Sequence, residues 1–222
     1  MGTRGFITFV APDLREPKGE VEKTTYQQFD SYPEGVGLRV LEFLRDEVGP
    51  SNPTNRLRLG RAITDLRVVH DYPEEKRTPV TSSDAKRLAA YANFNVDAYD
   101  ENNQKRDQPS WYQLLRETQG DPGAIIACGY LLDASDFPRD SLFAEWGYVI
   151  DLSGDAFEVY AGFQEKPHTA GRFADRGPWK PEHRIQTYYP VKLVSSYSLA
   201  ALPTNELFLE NCSAYSRAKY GE

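Results

Sequence analysis

Residues 146–163 read WGYVIDLSGDAFEVYAGF, and this stretch decides the fold class. Trp146, Tyr148, Ile150 and Leu152 alternate with smaller or polar residues, the period of a strand whose side chains point to opposite faces in turn. Ser153-Gly154-Asp155 supplies a turn, after which Phe157, Val159, Ala161 and Phe163 alternate again. The pattern predicts a β-hairpin with one buried face.

Working outward, Phe6 to Val10 (FITFV) is apolar on both faces and reads as an interior strand. A polar run from Ala11 to Glu22, with Pro12, Pro17 and Gly19, reads as a turn, and Lys23 to Phe29 as the returning strand. Beyond residue 163, residues 165–184 show no period and read as a long loop, the kind that is often functional or mobile. A strand is expected at about 185–195, and Pro203-Thr204 opens a last helix carrying Leu207, Phe208 and Tyr215.

The middle of the chain is helical. Val36, Val40, Leu41, Leu44 and Val48 share one face of a helix that Gly49-Pro50 stops. Asn52-Pro53 starts the next, with Leu59, Ala62, Ile63 and Leu66. Thr81 to Asp84, Ser110, and Asp121-Pro122 open three more, the last running through Ile125 to Leu132. Residues 93–108 read as a polar, flexible loop. Strands at both ends and helices between them predict an α+β fold, a mainly antiparallel sheet with helices packed on it, in a single domain over residues 1–222.

Composition narrows the function classes. A hydrophobic fraction of 40% and an aromatic fraction of 13% supply a core, and mean hydropathy is −0.62. The net charge of −7 carries no basic footprint for nucleic acid; Arg56, Arg58, Arg61 and Arg67 are diluted by Asp65 and Asp71. Cys128 and Cys212 are too few for a disulfide framework or a zinc site and read as buried thiols on helices. No stretch reads as a membrane span or a signal peptide, Phe6 breaks the myristoylation pattern after Gly2, and the Asn211-Cys212-Ser213 sequon has no secretory context. A cytoplasmic location, with neither nucleic acid nor membrane as partner, is expected.

Two motifs stand near the N-terminus: Met1-Gly2-Thr3-Arg4, and Tyr26-Gln27-Gln28-Phe29-Asp30-Ser31-Tyr32-Pro33-Glu34-Gly35-Val36-Gly37. Together they cover about a fifth of the chain. They resemble a group of uncharacterised phage, bacterial and fungal proteins that open M-G-T-R and continue Y-x-x-[FYW]-D-[GS]-Y-P-x-G-x-G. The 146–162 hairpin also looks like the later part of the fungal members. The resemblance implies candidate positions and no chemistry.

Those positions are Arg4, Tyr26, Asp30, Tyr32, Gly35 and Gly37. Pairing of the first two strands would bring Arg4 near Asp30. Gly35 and Gly37 would let the backbone pass close to something beside a helix N-terminus, where an anion can bind. The alternative is a brace and a turn with no ligand. A second candidate surface is the long loop, where Arg172, Phe173, Arg176 and Trp179, with Lys180, Arg184 and Tyr188-Tyr189, have the composition of a binding surface. The other reading is a lid packed on the hairpin.

Catalytic and metal signatures are thin. There is no G-x-S-x-G and no phosphate-binding glycine loop. His70, His168 and His183 lack metal spacing, although His168 and His183 share the long loop with Asp175. Asp97, Asp100 and Glu101 read as solvated carboxylates. The leading expectation is a binding or interaction protein without cofactor or metal, holding a small ligand or a protein chain, self-association included. The alternative is a hydrolase of N-terminal-nucleophile type centred on Thr3, Arg4 and Asp30, which requires processing to expose Thr3.

Overall fold

A computed structural model describes residues 2–16, 18–48, 53–92, 109–179 and 186–221. The apolar N-terminal run forms β1 (Gly5–Asp13), which turns back into β2 (Gly19–Gln27) in an antiparallel hairpin pairing Gly5 with Gln27 and Asp13 with Gly19. The hairpin is longer at its turn end than the polar composition of 11–22 predicts, because cross-strand pairing carries polar residues into the ladder.

The 146–163 stretch forms β5 (Trp146–Asp151) and β6 (Ala156–Ala161), and β7 (Lys192–Ser198) adds to β6. The sheet order is β2-β1-β5-β6-β7, with all neighbours antiparallel except β1 and β5, whose parallel ladder joins the two ends of the chain. This is the α+β arrangement expected. β7 begins later than the expected 185–195, since Tyr188 bridges to Trp179 and the Tyr189 and Val191 amides donate to Gln164 and Pro138 before pairing with β6 starts.

One sheet face buries Ile7, Phe9, Tyr148, Ile150, Phe157 and Val159. Three helices cover it: α1 (Leu38–Val48), α2 (Pro53–Asp65) and α6 (Asn205–Tyr220), through Val40, Leu41, Leu44, Ile63 and Phe208. Lys23 on β2 holds α2 in place. Its ammonium donates to the carbonyls of Ile63, Thr64 and Leu66, each at 2.8 Å, satisfying acceptors that the helix end leaves open.

The hairpin was expected to bury one face; it buries both. Phe6, Val10, Val149 and Tyr160 on the second face pack with Phe173 and Val191 from the long β6–β7 connection.

The remaining helices are short and start where their caps predict. Thr81 and Asp84 form a capping box on α3 (Ser82–Arg87), and Ser110 and Gln113 one on α4 (Trp111–Leu114). The Asp121 carboxylate accepts from the Ala124 amide at the start of α5 (Pro122–Cys128). α5 stops at Cys128 rather than reaching Leu132, because Gly129 takes φ +76° and turns the chain out of the helix.

Two unexpected strands, β3 (Arg67–Val69) and β4 (Tyr130–Leu132), then pair in parallel. With α3 and α4 they enclose a smaller core around Trp111, Leu88 and Tyr130. This unit seats against β2, where the Ala134 amide donates to the Thr24 carbonyl, so part of that exposed sheet edge is covered. Cys128 and Cys212 are buried, and burial raises both thiols, Cys212 to about 12. No described helix is long and apolar enough to cross a membrane. The expected loop at 93–108, with Asp97, Asp100 and Glu101, lies outside the described residues, as do Lys180, His183 and Arg184.

Candidate functional site

The first turn is filled by the protein itself. Asp30 takes φ +56° and is exposed, and its carbonyl accepts from the Val36 amide at 2.9 Å. Pro33–Gly37 winds as a single wide π-type turn that enters α1. A Cβ on Gly35 would strike the Asp30 carbonyl, and one on Gly37 would sit 2.8 Å from the Tyr148 hydroxyl and 2.9 Å from the Phe208 ring. The close approach that these glycines permit is therefore to this chain's own backbone and core. Ser31 is fully buried with its Cβ against Gly5, which accounts for a small residue at that motif position. The Tyr148 hydroxyl donates to the Ser31 carbonyl at 2.8 Å, and the Ser31 amide donates to the Thr3 carbonyl at 3.1 Å. Tyr32 flanks the turn half-exposed.

The expected Arg4–Asp30 pair is not formed. Arg4 instead turns its guanidinium over the Phe143 ring, 4.8 Å from the centroid, because the parallel β1–β5 ladder brings Glu145 and its neighbours beside it. The Arg4 amide donates to the Glu145 carboxylate at 3.1 Å.

What the fold assembles here is a different cluster. Tyr26, near the end of β2, donates to Gln28 and packs its ring against Phe137 at 5.1 Å and Tyr112 at 6.5 Å. Arg116, one turn beyond Tyr112, lies over the Phe29 ring at 4.7 Å and the Tyr112 ring at 5.3 Å, and it donates to the Tyr112 hydroxyl. Burial raises the Tyr26 phenol above its ordinary value, Tyr112 adds to the rise, and Arg4 and Arg116 both pull against it. Two guanidinium groups on different elements thus lie close enough to Tyr26 for their charge to be felt at its hydroxyl.

Neither of those arginines has a carboxylate within ion-pair distance among the described residues. Phe29, 44% exposed, and Phe143, 38% exposed, leave apolar surface beside them. The cavity under Tyr26, Tyr112 and Gln119 measures about 10 Å³, room for one water at most. The arrangement can meet a planar anion or an acidic chain at the surface; it has no room to enclose a ligand.

Arginines of the long loop are used differently. Arg172 reaches Asp151 and Glu158 on the strap-covered face, the Glu158 contact at 2.7 Å. Its amide donates to the Tyr160 hydroxyl, which itself donates to Glu158. Burial opposes the Arg172 charge, but the two carboxylates outweigh it and raise its pKa. Phe173 is fully buried, edge-on to Phe6 at 5.5 Å and to Tyr160 at 4.8 Å. Arg176 covers the Phe173 ring and pairs with Glu22. Trp179 lies under Arg139 and bridges to Tyr188. The loop is a strap over the sheet, and Phe173 is a core residue.

Sequence reasoning named Arg4 and Tyr26 but missed Arg116, Tyr112 and Phe143. The one signal for the first two was their spacing of four along a helical stretch, which brings an arginine onto a tyrosine. His168 is held by the Pro190 carbonyl at 2.9 Å and His70 lies 3.6 Å from Asp133; no group of three or more metal-capable side chains occurs among the described residues. In comparison with known proteins, no family model matches the chain, and neither a curated protein nor a solved structure matches it.

Proposed function

We propose that this chain is a non-enzymatic binding protein that holds an acidic segment of a partner chain against Arg4, Tyr26 and Arg116 at the end of the sheet. The observation that carries the reading is the pair of guanidinium groups near Tyr26 that stack on aromatic rings and form no ion pair among the described residues. A guanidinium placed over a ring keeps donors for a carboxylate, and Arg116 retains some beyond the one it gives Tyr112. Exposed Phe29 and Phe143 add apolar contact, and arginine with aromatic residues is the usual composition of an interface centre. With a net charge of −7 the rest of the surface repels an acidic partner, which confines one to the local cationic pair.

The test is a nuclear magnetic resonance titration with a blocked Glu-Glu-Phe-Glu-Glu peptide and a Lys-Lys-Phe-Lys-Lys control. The acidic peptide is expected to shift the amides of Arg4, Gln28 and Arg116 saturably and to bind more weakly as salt is raised. Shifts elsewhere, or equal shifts from the basic peptide, would sink the reading. Sedimentation across a concentration series separately tests whether a second copy of the chain is the partner.

A further inference from the structure

The five-stranded sheet has two edges, and the fold treats them differently. At β2 the Ala134 amide and the bridge between Asp133 and Thr25 cover part of the edge. At β7 the strap reaches only the start of the strand, where the Ala170 carbonyl accepts from the Leu193 amide at 3.3 Å.

The pairing pattern fixes which groups the rest of β7 leaves open. The Leu199 amide donates to the Asp155 carbonyl at 3.1 Å, in the same register as the pairs Ser198–Ala156 and Tyr197–Phe157. Bonded pairs alternate along an antiparallel ladder, so Tyr197 and Ser195 turn their backbone groups to β6 while Ser196 and Ser198 turn theirs outward. Both outward serines are exposed. The Ser198 carbonyl is used by the Ala201 amide, but the Ser198 amide and both backbone groups of Ser196 have no partner among the described residues.

Sheet edges are ordinarily blunted by charge, proline or a bulge. On β7 the charge of Lys192 and the register shift opposite Val159/Tyr160 both lie at the start of the strand. Residues 193–200 then read LVSSYSLA, without charge or proline in a chain of net charge −7. What fits open backbone groups on a strand is another strand, and the side chains favour a copy of this one. Laid antiparallel on itself about a twofold axis at Ser196, the segment exchanges both backbone bonds of Ser196 with those of its copy. The same register sets Tyr197 beside Ser195 of the copy, a ring over a small side chain, on the face that α6 covers. Two chains of like net charge meet here without opposing charges, whereas Glu20 and Glu22 on β2 would repel their own copies.

We propose that β7 pairs antiparallel with β7 of a second copy of this chain, joining two sheets into one across a twofold axis. The interface is separate from the Arg4 and Arg116 cluster, and neither reading depends on the other. Sedimentation velocity over a concentration series is expected to show a monomer–dimer equilibrium. Amide hydrogen exchange should slow at Ser196 and Ser198 as concentration rises, and stay unchanged at Tyr197, which already bonds to β6. Ser196→Pro removes an outward donor without touching a bond to β6, and Ser196→Lys sets two ammonium groups against each other on the axis. Each should weaken dimerisation by roughly tenfold or more, the worth of the backbone bonds lost across the axis. Arg4→Gln with Arg116→Gln should leave dimerisation unchanged. A chain that stays monomeric up to about 1 mM would overturn the proposal and leave the edge to a strand of another protein. A dimer that survives either Ser196 variant, or one that the arginine variant breaks, would overturn it as well.

Discussion

Two regions of this molecule carry arginine beside aromatic rings, and they do opposite things with it. In the strap that crosses the second sheet face, Arg172 meets Asp151 and Glu158, and Arg176 meets Glu22. At the sheet end, Arg4 and Arg116 stack on Phe143 and Phe29, and neither guanidinium forms an ion pair among the described residues; the Glu145 carboxylate is bonded to the Arg4 amide instead. Composition is the same in both places, and the partner of the charge separates them. A guanidinium already neutralised inside the fold is a clamp, whereas one that lies over a ring without an ion pair is available to something else. The difference therefore predicts stability effects in the strap and binding effects at the sheet end.

The sharpest way to break the comparison is to mutate the strap and find that nothing happens. Phe173→Ala should cost about 4 kcal/mol of unfolding free energy, read by chemical denaturation, since it empties a closed pocket between Phe6 and Tyr160. Arg172→Met should cost about 3 kcal/mol, because Asp151, only 6% exposed, is left without its cation. Arg176→Gln should cost about 1 kcal/mol, its pair with Glu22 being partly solvated. Arg4→Gln and Arg116→Gln should each cost about 0.5 kcal/mol, the loss of one exposed cation–ring contact. A sheet-end variant that destabilises as strongly as Arg172→Met would show that those arginines are clamps too.

Much of the fold was legible because its signals are local. Alternation at Trp146–Leu152 and Phe157–Ala161 marked the hairpin, and Thr81, Ser110, Asp121 and Thr204 each sit where a helix begins. β3 and β4 escaped because three residues are too few to display a period, and because Gly129 was not recognised as the end of α5. The one-sided burial expected of the hairpin failed for a different reason. Glu158 and Asp151 look solvent-facing in sequence, and only the Arg172 strap makes their burial tolerable.

The candidate site was half legible. Arg4 and Tyr26 stand in a motif, but the groups that give them meaning arrive through the β1–β5 ladder and from the loop after α4. Glu145, for example, lies 141 positions from Arg4. No pattern within one strand or helix encodes a contact of that separation. The long loop misled in the opposite direction: its arginines and rings advertise a surface, yet the acids that consume the charge lie on the 146–163 hairpin, as Asp151 and Glu158 do, or in a stretch read as a turn, as Glu22 does.

The central claim is tested most directly by measuring, by calorimetry, the affinity of the blocked Glu-Glu-Phe-Glu-Glu peptide for three proteins: the natural chain, the Arg4→Gln/Arg116→Gln variant and the Arg176→Gln variant. The account predicts at least a roughly tenfold loss in the double variant, the expected worth of two charge-assisted contacts, and an unchanged affinity in Arg176→Gln. Equal affinity in all three proteins, or a loss confined to Arg176→Gln, would contradict it.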